Sequence, residues 1–256
     1  MPGDATRDAT VFPGLAHMLT ASRVVIGAAA LSSALDGHFT RAAALVTASA
    51  VVDGLDGKLA RWLNASSPFG GLFDYFCDYL CFLVAPWALT RGLLGPDRAA
   101  FADAVLVLPL VTGAIRYARN SLLVTSQSEE VRQLPGLGTV FFAFVSVVAV
   151  FLEAPSRLSP EQLSAALLAL TVLFSVLMVA PVEYPKLSNF RGASPAVLVL
   201  LAAMPIVGTT VIAGAALAIG SSYVVFGPLW TRRHGVKDLA HAHRDGGGEG
   251  AEGGDP

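Results

Sequence analysis

Asp53-Gly-Leu-Asp56-Gly57-Lys-Leu-Ala60-Arg61, eight further residues, then Gly70-Gly-Leu-Phe-Asp74-Tyr-Phe-Cys-Asp78: this stretch sets four aspartates within otherwise apolar sequence. Hydrophobic runs flank it on both sides, so at least some of these carboxylates lie at membrane depth, where ionisable groups are costly and usually functional. Asp53 and Asp56 are spaced i,i+3, and Asp74 and Asp78 i,i+4, so each pair projects from one face of a helix. If the two helices face one another, four carboxylates converge. At about 5 Å and an effective dielectric near 20, each like-charge pair then costs roughly 3 kcal/mol. Such a cluster requires protons or cations, and two divalent ions match its charge. Aspartate oxygens suit magnesium or manganese. Paired ions of that kind commonly serve phosphoryl chemistry by clamping phosphate oxygens.

The rest of the chain supports a membrane setting. Of 256 residues, 54% are hydrophobic and 14% charged, and the mean hydropathy is +0.62. That is too apolar for a soluble domain of this size, and the apolar runs are long enough to span a bilayer. The expected fold is all-α, a polytopic transmembrane helix bundle. Eight apolar segments can be drawn: Arg23–Leu35, Ala42–Leu59, Gly71–Leu89, Ala100–Ile115, Leu137–Phe151, Leu163–Ala180, Pro195–Met204 and Pro205–Phe226. The first extends back to about Leu15. Pro205 and Gly208 interrupt the last stretch, so the expected count is about eight spans, within a range of six to eight. Turn chemistry separates the segments at Asp36-Gly37, Gly95-Pro96-Asp97, Pro135-Gly136, Pro155-Ser156 and Pro181 to Pro185. Residues 1–16 read as an N-terminal cytoplasmic segment with no cleavable leader, 17–233 as the membrane domain, and 234–256 as a disordered cytoplasmic tail. Cys77 and Cys81 lie one helical turn apart in an apolar segment and read as packing residues, not as a disulfide framework.

Basic residues orient the bundle. With the amino terminus in the cytoplasm, thirteen Lys and Arg fall on the cytoplasmic side, including Arg23, Lys58, Arg61, Arg116, Arg119 and Lys186. Arg41, Arg91, Arg98 and Arg157 fall on the other, a clear positive-inside bias. The second span then runs inward to Arg61 and the third outward from Gly70. Both aspartate pairs therefore sit near the cytoplasmic ends of adjacent antiparallel helices, joined by a short loop. An ion transporter using the aspartates as a cation path is the main reading from another class. The clustering at one membrane face and the lack of an internal repeat count against it.

The pattern matches the signature of the CDP-alcohol phosphotransferase (phosphatidyltransferase) family at every fixed position: Asp53, Asp56, Gly57, Ala60, Arg61, Gly70, Asp74 and Asp78. The resemblance implies transfer from a CDP-activated lipid to an alcohol, with release of CMP. It implies that Asp53, Asp56, Asp74 and Asp78 hold two divalent cations, Mg2+ or Mn2+, and that Asp78 also accepts the proton of the attacking hydroxyl. Gly57, Ala60, Arg61 and Gly70 are implied in CDP-lipid binding, Gly57 by admitting the ligand close to the backbone and Arg61 by its planar fork. Thr20 and Arg23 lie in a segment resembling the family's Asn-Leu-Leu-Thr start, which implies a place for both at the nucleotide, beside the alternative of an interfacial role.

Four further segments are similar to the family's membrane-embedded phosphatidylserine synthases. They are Leu63-Asn-Ala-Ser-Ser-Pro68-Phe69-Gly70, Thr112-Gly113-Ala114-Ile115-Arg116-Tyr117-Ala118-Arg119-Asn120, Leu134-Pro-Gly136-Leu137-Gly138 and Val182-Glu-Tyr184-Pro185-Lys186. The ending Tyr223-Val-Val-Phe-Gly227-Pro228 is similar as well. This likeness implies CDP-diacylglycerol and L-serine as substrates, with glycerol 3-phosphate or inositol phosphate as alternative acceptors. It implies Arg116 and Arg119 at the acceptor carboxylate or a phosphate, a homodimer in the cytoplasmic membrane, an active site facing the cytoplasm, and no nucleic-acid partner. The chain departs from the subfamily at Tyr75-Phe76-Cys77 and Cys81-Phe82-Leu83, where bulkier side chains stand beside the base.

Overall fold

The computed structural model of the chain describes residues 5–62, 68–95, 99–125, 134–153, 159–184 and 220–228. The helices are α1 (Ala5–Leu35), α2 (Phe39–Trp62), α3 (Pro68–Tyr79), α4 (Ala85–Leu94), α5 (Ala99–Thr125), α6 (Val140–Glu153) and α7 (Pro160–Val179). A π-helical turn, Leu80–Val84, joins α3 to α4, and residues 220–228 are also helical. Six of the eight expected segments are therefore helices. Residues 195–204, most of 205–226 and the tail from 234 lie outside the described residues. Among the described residues, four stretches are long and apolar enough to cross a membrane: Met18–Leu35, Phe69–Leu94, Phe101–Leu122 and Glu161–Val179. The α2 helix has the length, but it carries Arg41, Asp53, Asp56, Lys58 and Arg61. The α6 helix is apolar and short. The first helix begins at Ala5, well before the start expected near Leu15.

The α1–α2 hairpin turns at Asp36-Gly37-His38. His38 N–H donates to Ser33 O at 2.8 Å and Gly37 N–H to Ala34 O at 3.2 Å, the two bonds of a Schellman closure. Gly37 has φ +76°, the left-handed conformation that this closure requires and that other residues adopt only with strain. Ala30, Ala34, Ala42 and Ala43 then pack into the core shared by α1, α2, α4 and α6. Small residues allow such close approach, the usual means of helix association where lipid competes for apolar surface. Gly27 of α1 lies so near the third helix that a Cβ there would sit 2.7 Å from Cys81 Sγ. On the outer faces, Met18, Val25, Phe76, Phe101, Leu122 and Val176 are exposed, an apolar exterior suited to lipid.

The π turn follows directly after Asp78. Ala85 donates its N–H to Leu80 O, five residues back, and Pro86 has no N–H to continue an α-helical ladder. Three consecutive residues, Cys81, Phe82 and Leu83, are buried there, which a regular α-helix would not present to one side. At the end of the bundle that holds the aspartates, Leu134 pairs with Tyr184 and Pro135 with Glu183 in a two-residue antiparallel ladder. Two of the segments singled out in the sequence thus meet in space. Gly136 makes that meeting possible: its φ is +87°, and a Cβ would collide with the Met178 carbonyl.

Candidate metal and active centre

The two aspartate pairs converge, as their spacing predicts. One carboxylate oxygen from each of Asp53, Asp56 and Asp74 lies within 4.8 Å of the other two. Asp53 and Asp56 come from the last turns of α2, and Asp74 and Asp78 from α3. Asp53 and Asp74 are more than one-third exposed, at 37% and 39%, whereas Asp56 and Asp78 are 7% and 17%. The cluster thus opens on the Asp53–Asp74 side. Its donors are hard oxygens from two helices, which fits a divalent cation of the magnesium or manganese kind.

The side chain that joins the four carboxylates is Arg23 of α1. Its Nη1 lies 2.9 Å from Asp53 Oδ1 and 3.7 Å from Asp56 Oδ2, and pairs with Asp74 Oδ1. Its Nη2 pairs with Asp78 Oδ1. The residue is fully buried, and its guanidinium lies over the Phe82 ring at 5.5 Å from the centroid. The Cys81 thiol donates to the Arg23 carbonyl at 3.2 Å, and the Cys77 thiol to the Thr20 carbonyl at 3.5 Å, so both cysteines are free thiols pinning α1 to the third helix. Thr20 itself donates from Oγ1 to Asp56 Oδ2 at 3.4 Å. The sequence places Arg23 at the nucleotide or at the interface, and not among the aspartates. A single arginine ahead of an apolar run carries no local sign that it turns inward. The uncompensated charge of four aspartates was the available signal.

Asp78 has a second partner. Tyr117 of α5 donates to its Oδ2 at 3.4 Å, and the Tyr117 and Thr139 hydroxyls are 2.5 Å apart. Tyr75 and Tyr79 ring Tyr117, with centroids at 5.1 and 6.5 Å. Tyr75 belongs to the run where bulkier residues stand beside Asp78, and its ring packs on that of Tyr117. Arg116 is buried, lies 6.0 Å from the Tyr117 ring centroid, and its Nε has no partner. Asn120, one turn further on, is fully buried with both amide atoms unpartnered. Buried groups without partners are rare in folded proteins, so these polar atoms beside Asp78 are candidates for binding a polar ligand.

Arg116 and Arg119 do not share one environment. Arg119 reaches the C-terminal carbonyls of α7, with Nη1 3.4 Å from Val179 O and Nη2 3.5 Å from Met178 O. Gly57, Ala60 and Arg61 lie on the last turns of α2, with their side chains outside the described residues. Gly70 lies on the first turn of α3. Tyr117, Thr139 and Asn120 were not singled out as site residues, since nothing local distinguishes a hydroxyl or amide facing the core from one facing lipid.

Comparison with known proteins agrees with this geometry. A family model described as CDP-alcohol phosphatidyltransferase matches residues 14–180. A CDP-diacylglycerol–serine O-phosphatidyltransferase of Helicobacter pylori is 32% identical over 181 residues, covering 71% of this chain and 74% of its own. An archaetidylserine synthase of Methanothermobacter thermautotrophicus is 30% identical over 188 residues, covering 72% and 73%. A phosphatidylcholine synthase of Brucella melitensis is 32% identical over a shorter region, 41% of this chain and 40% of that one. With the matched region spanning α1 to α7 and holding all four aspartates, this chain belongs to the CDP-alcohol phosphatidyltransferase family, as a helical membrane transferase.

Proposed function

We propose that the protein transfers a phosphatidyl group from CDP-diacylglycerol to the hydroxyl of L-serine, with divalent cations at the aspartate cluster, giving phosphatidylserine and CMP. The observation that carries this reading is the convergence of four aspartates from two adjacent helices on one point. The relatives matched over more than two-thirds of their length are named for serine, on diacylglycerol and archaeal lipids alike, which favours serine as acceptor.

Asp53, Asp56 and Asp74 would hold the cations, with Asp78 completing the set. Bound there, two Mg2+ or Mn2+ supply Lewis-acid neutralisation of the diphosphate. The chain supplies the rest. Asp78, fixed on both oxygens by Arg23 and Tyr117, accepts the proton of the serine hydroxyl. The serine oxygen bonds to the lipid-side phosphorus, and the bond from that phosphorus to the CMP oxygen breaks, with the electron pair leaving on CMP. Arg116, with an unspent donor, holds the acceptor's carboxylate beside Asp78. Tyr75, Tyr79 and Tyr117 pack beside Asp78 and would narrow the approach to it. The positive-inside distribution of Lys and Arg supports an orientation with this end of the bundle at the cytoplasmic face.

Purified protein in detergent with CDP-diacylglycerol is expected to release CMP only when both serine and Mn2+ or Mg2+ are present, with phosphatidylserine as the lipid product. Asp78→Asn is expected to lower kcat by at least about 100-fold. No CMP with serine, glycerol 3-phosphate, inositol phosphate or choline would overturn the reading. A product formed from one of the other alcohols alone would move the acceptor and leave the chemistry.

A further inference from the structure

Arg23 stands where bound cations would place their charge. Its two amino groups divide the cluster, Nη1 facing Asp53, Asp56 and Asp74 and Nη2 facing Asp78. One guanidinium against four carboxylates leaves three negative charges uncompensated, so it tempers the repulsion without ending it. The grip is also incomplete: Nε is buried and has no partner. An arginine built for this ion pair alone would be expected to spend that donor as well.

One oxygen from each of Asp53, Asp56 and Asp74 lies within 4.8 Å of the other two, and the guanidinium reaches all three residues, so cations bound there would compete with it for the same carboxylates. The Arg23 side chain has the means to give way. Its backbone carbonyl accepts from the Cys81 thiol, which holds the main chain, while the guanidinium carbon lies 5.5 Å from the Phe82 ring centroid, a cation–π contact that demands less exact geometry than a hydrogen bond.

We propose that Arg23 is the exchangeable counter-cation of this centre: it neutralises the aspartates when no divalent cation is bound, yields their oxygens to incoming cations, and then turns its freed fork to the diphosphate of the CDP-activated lipid. The proposal rests on the reading of the cluster as a divalent-cation site. Charge supports the sequence of events. Two divalent cations and the guanidinium together exceed the four carboxylates by one positive charge, which attracts a dianionic diphosphate. Cation loading therefore precedes and strengthens lipid-nucleotide binding. It also sets the apparent cation affinity below the intrinsic one, because each ion must displace a bonded guanidinium.

The full chain in detergent tests this, with Mn2+ as the probe and free Mn2+ followed by electron paramagnetic resonance, without acceptor so that no turnover enters. Arg23→Gln is expected to bind Mn2+ at least tenfold more tightly than the unaltered protein. Its thermal midpoint is expected to be lower in chelator and to recover on adding Mn2+. At saturating Mn2+, its affinity for CDP-diacylglycerol is expected to fall at least tenfold. Arg23→Lys is expected to fall between the two in Mn2+ affinity, since one ammonium cannot bridge both sides of the cluster. Equal or weaker Mn2+ binding by Arg23→Gln overturns the exchange while leaving the cation site standing. Failure of that variant to fold even in saturating Mn2+ overturns it too, because cations then cannot replace the guanidinium. Unchanged affinity for CDP-diacylglycerol overturns the second step. An unaltered protein that binds no Mn2+ overturns the cation reading and this proposal together.

Discussion

At the scale of single residues, the two arginines of α5 carry different work although they lie i,i+3. Arg116 is buried beside the tyrosines that adjoin Asp78 and keeps an unspent donor. Arg119 lies against the last carbonyls of α7, where a cation satisfies acceptors that the helix leaves open and meets the negative end of its dipole. Arg116→Ala is therefore expected to raise KM for serine at least tenfold with a smaller change in KM for the CDP-lipid. Arg119→Ala is expected to leave the ratio of the two constants unchanged and to lower stability by about 1 kcal/mol, as loss of long, charge-assisted bonds implies. Steady-state kinetics with each substrate varied, beside thermal unfolding in detergent, separates them. Equal effects on both constants from Arg116→Ala would assign it a structural role. Spacing announced both residues and could not divide them, because an i,i+3 pair spreads over an arc wide enough to meet two different neighbours.

At the scale of elements, the site depends on how closely α1 approaches the third helix. The approach occurs at Gly27, opposite Cys81 and Leu80, one turn beyond Arg23. Overpacking there would push α1 outward and withdraw Arg23 and Thr20 from the aspartates. Gly27→Ala is expected to destabilise the protein by about 1–3 kcal/mol, since a new Cβ would meet Cys81 Sγ at 2.7 Å. Adding Cys81→Ala to that variant removes the obstructing sulfur and is expected to restore part of the loss. A double variant no more stable than Gly27→Ala alone would place the strain elsewhere. The π turn belongs to the same scale. By advancing the helix phase after Asp78, it buries Phe82 under the Arg23 guanidinium while Asp74 and Asp78 still face the cluster. Pro86 was visible in the sequence, but a proline there is equally compatible with a kink, so the π geometry could not be read from it.

At the scale of the whole molecule, the site residues gather at one end of the bundle. The middle of α1, the end of α2, the start of α3, the end of α5 and the end of α7 meet there, and the Gly37 turn lies at the other end of the α1–α2 hairpin. A charged centre at one end of an apolar helical bundle suits a transferase that handles a water-soluble nucleotide and a lipid together. Orientation is testable by cysteine labelling with a membrane-impermeant maleimide in intact cells, because the native Cys77 and Cys81 are buried. His38→Cys is expected to react from outside, and Pro181→Cys only after the membrane is opened. The reverse pattern would turn the active centre to the outer face.

What the amino-acid sequence determined alone was the membrane class, the turns at Asp36-Gly37 and Pro135-Gly136, and the meeting of two aspartate pairs. Each of these follows from local quantities: apolar length, backbone-demanding residues, and helical spacing across one short loop. The tertiary structure alone decided that Arg23 enters the cluster, that Tyr117 and Thr139 back Asp78, that Arg119 turns to α7, and that the Leu134 and Tyr184 segments pair. Those contacts join residues far apart in the chain, and they depend on the rotation and depth of each helix against its neighbours. Periodicity specifies a face, and packing specifies what that face meets.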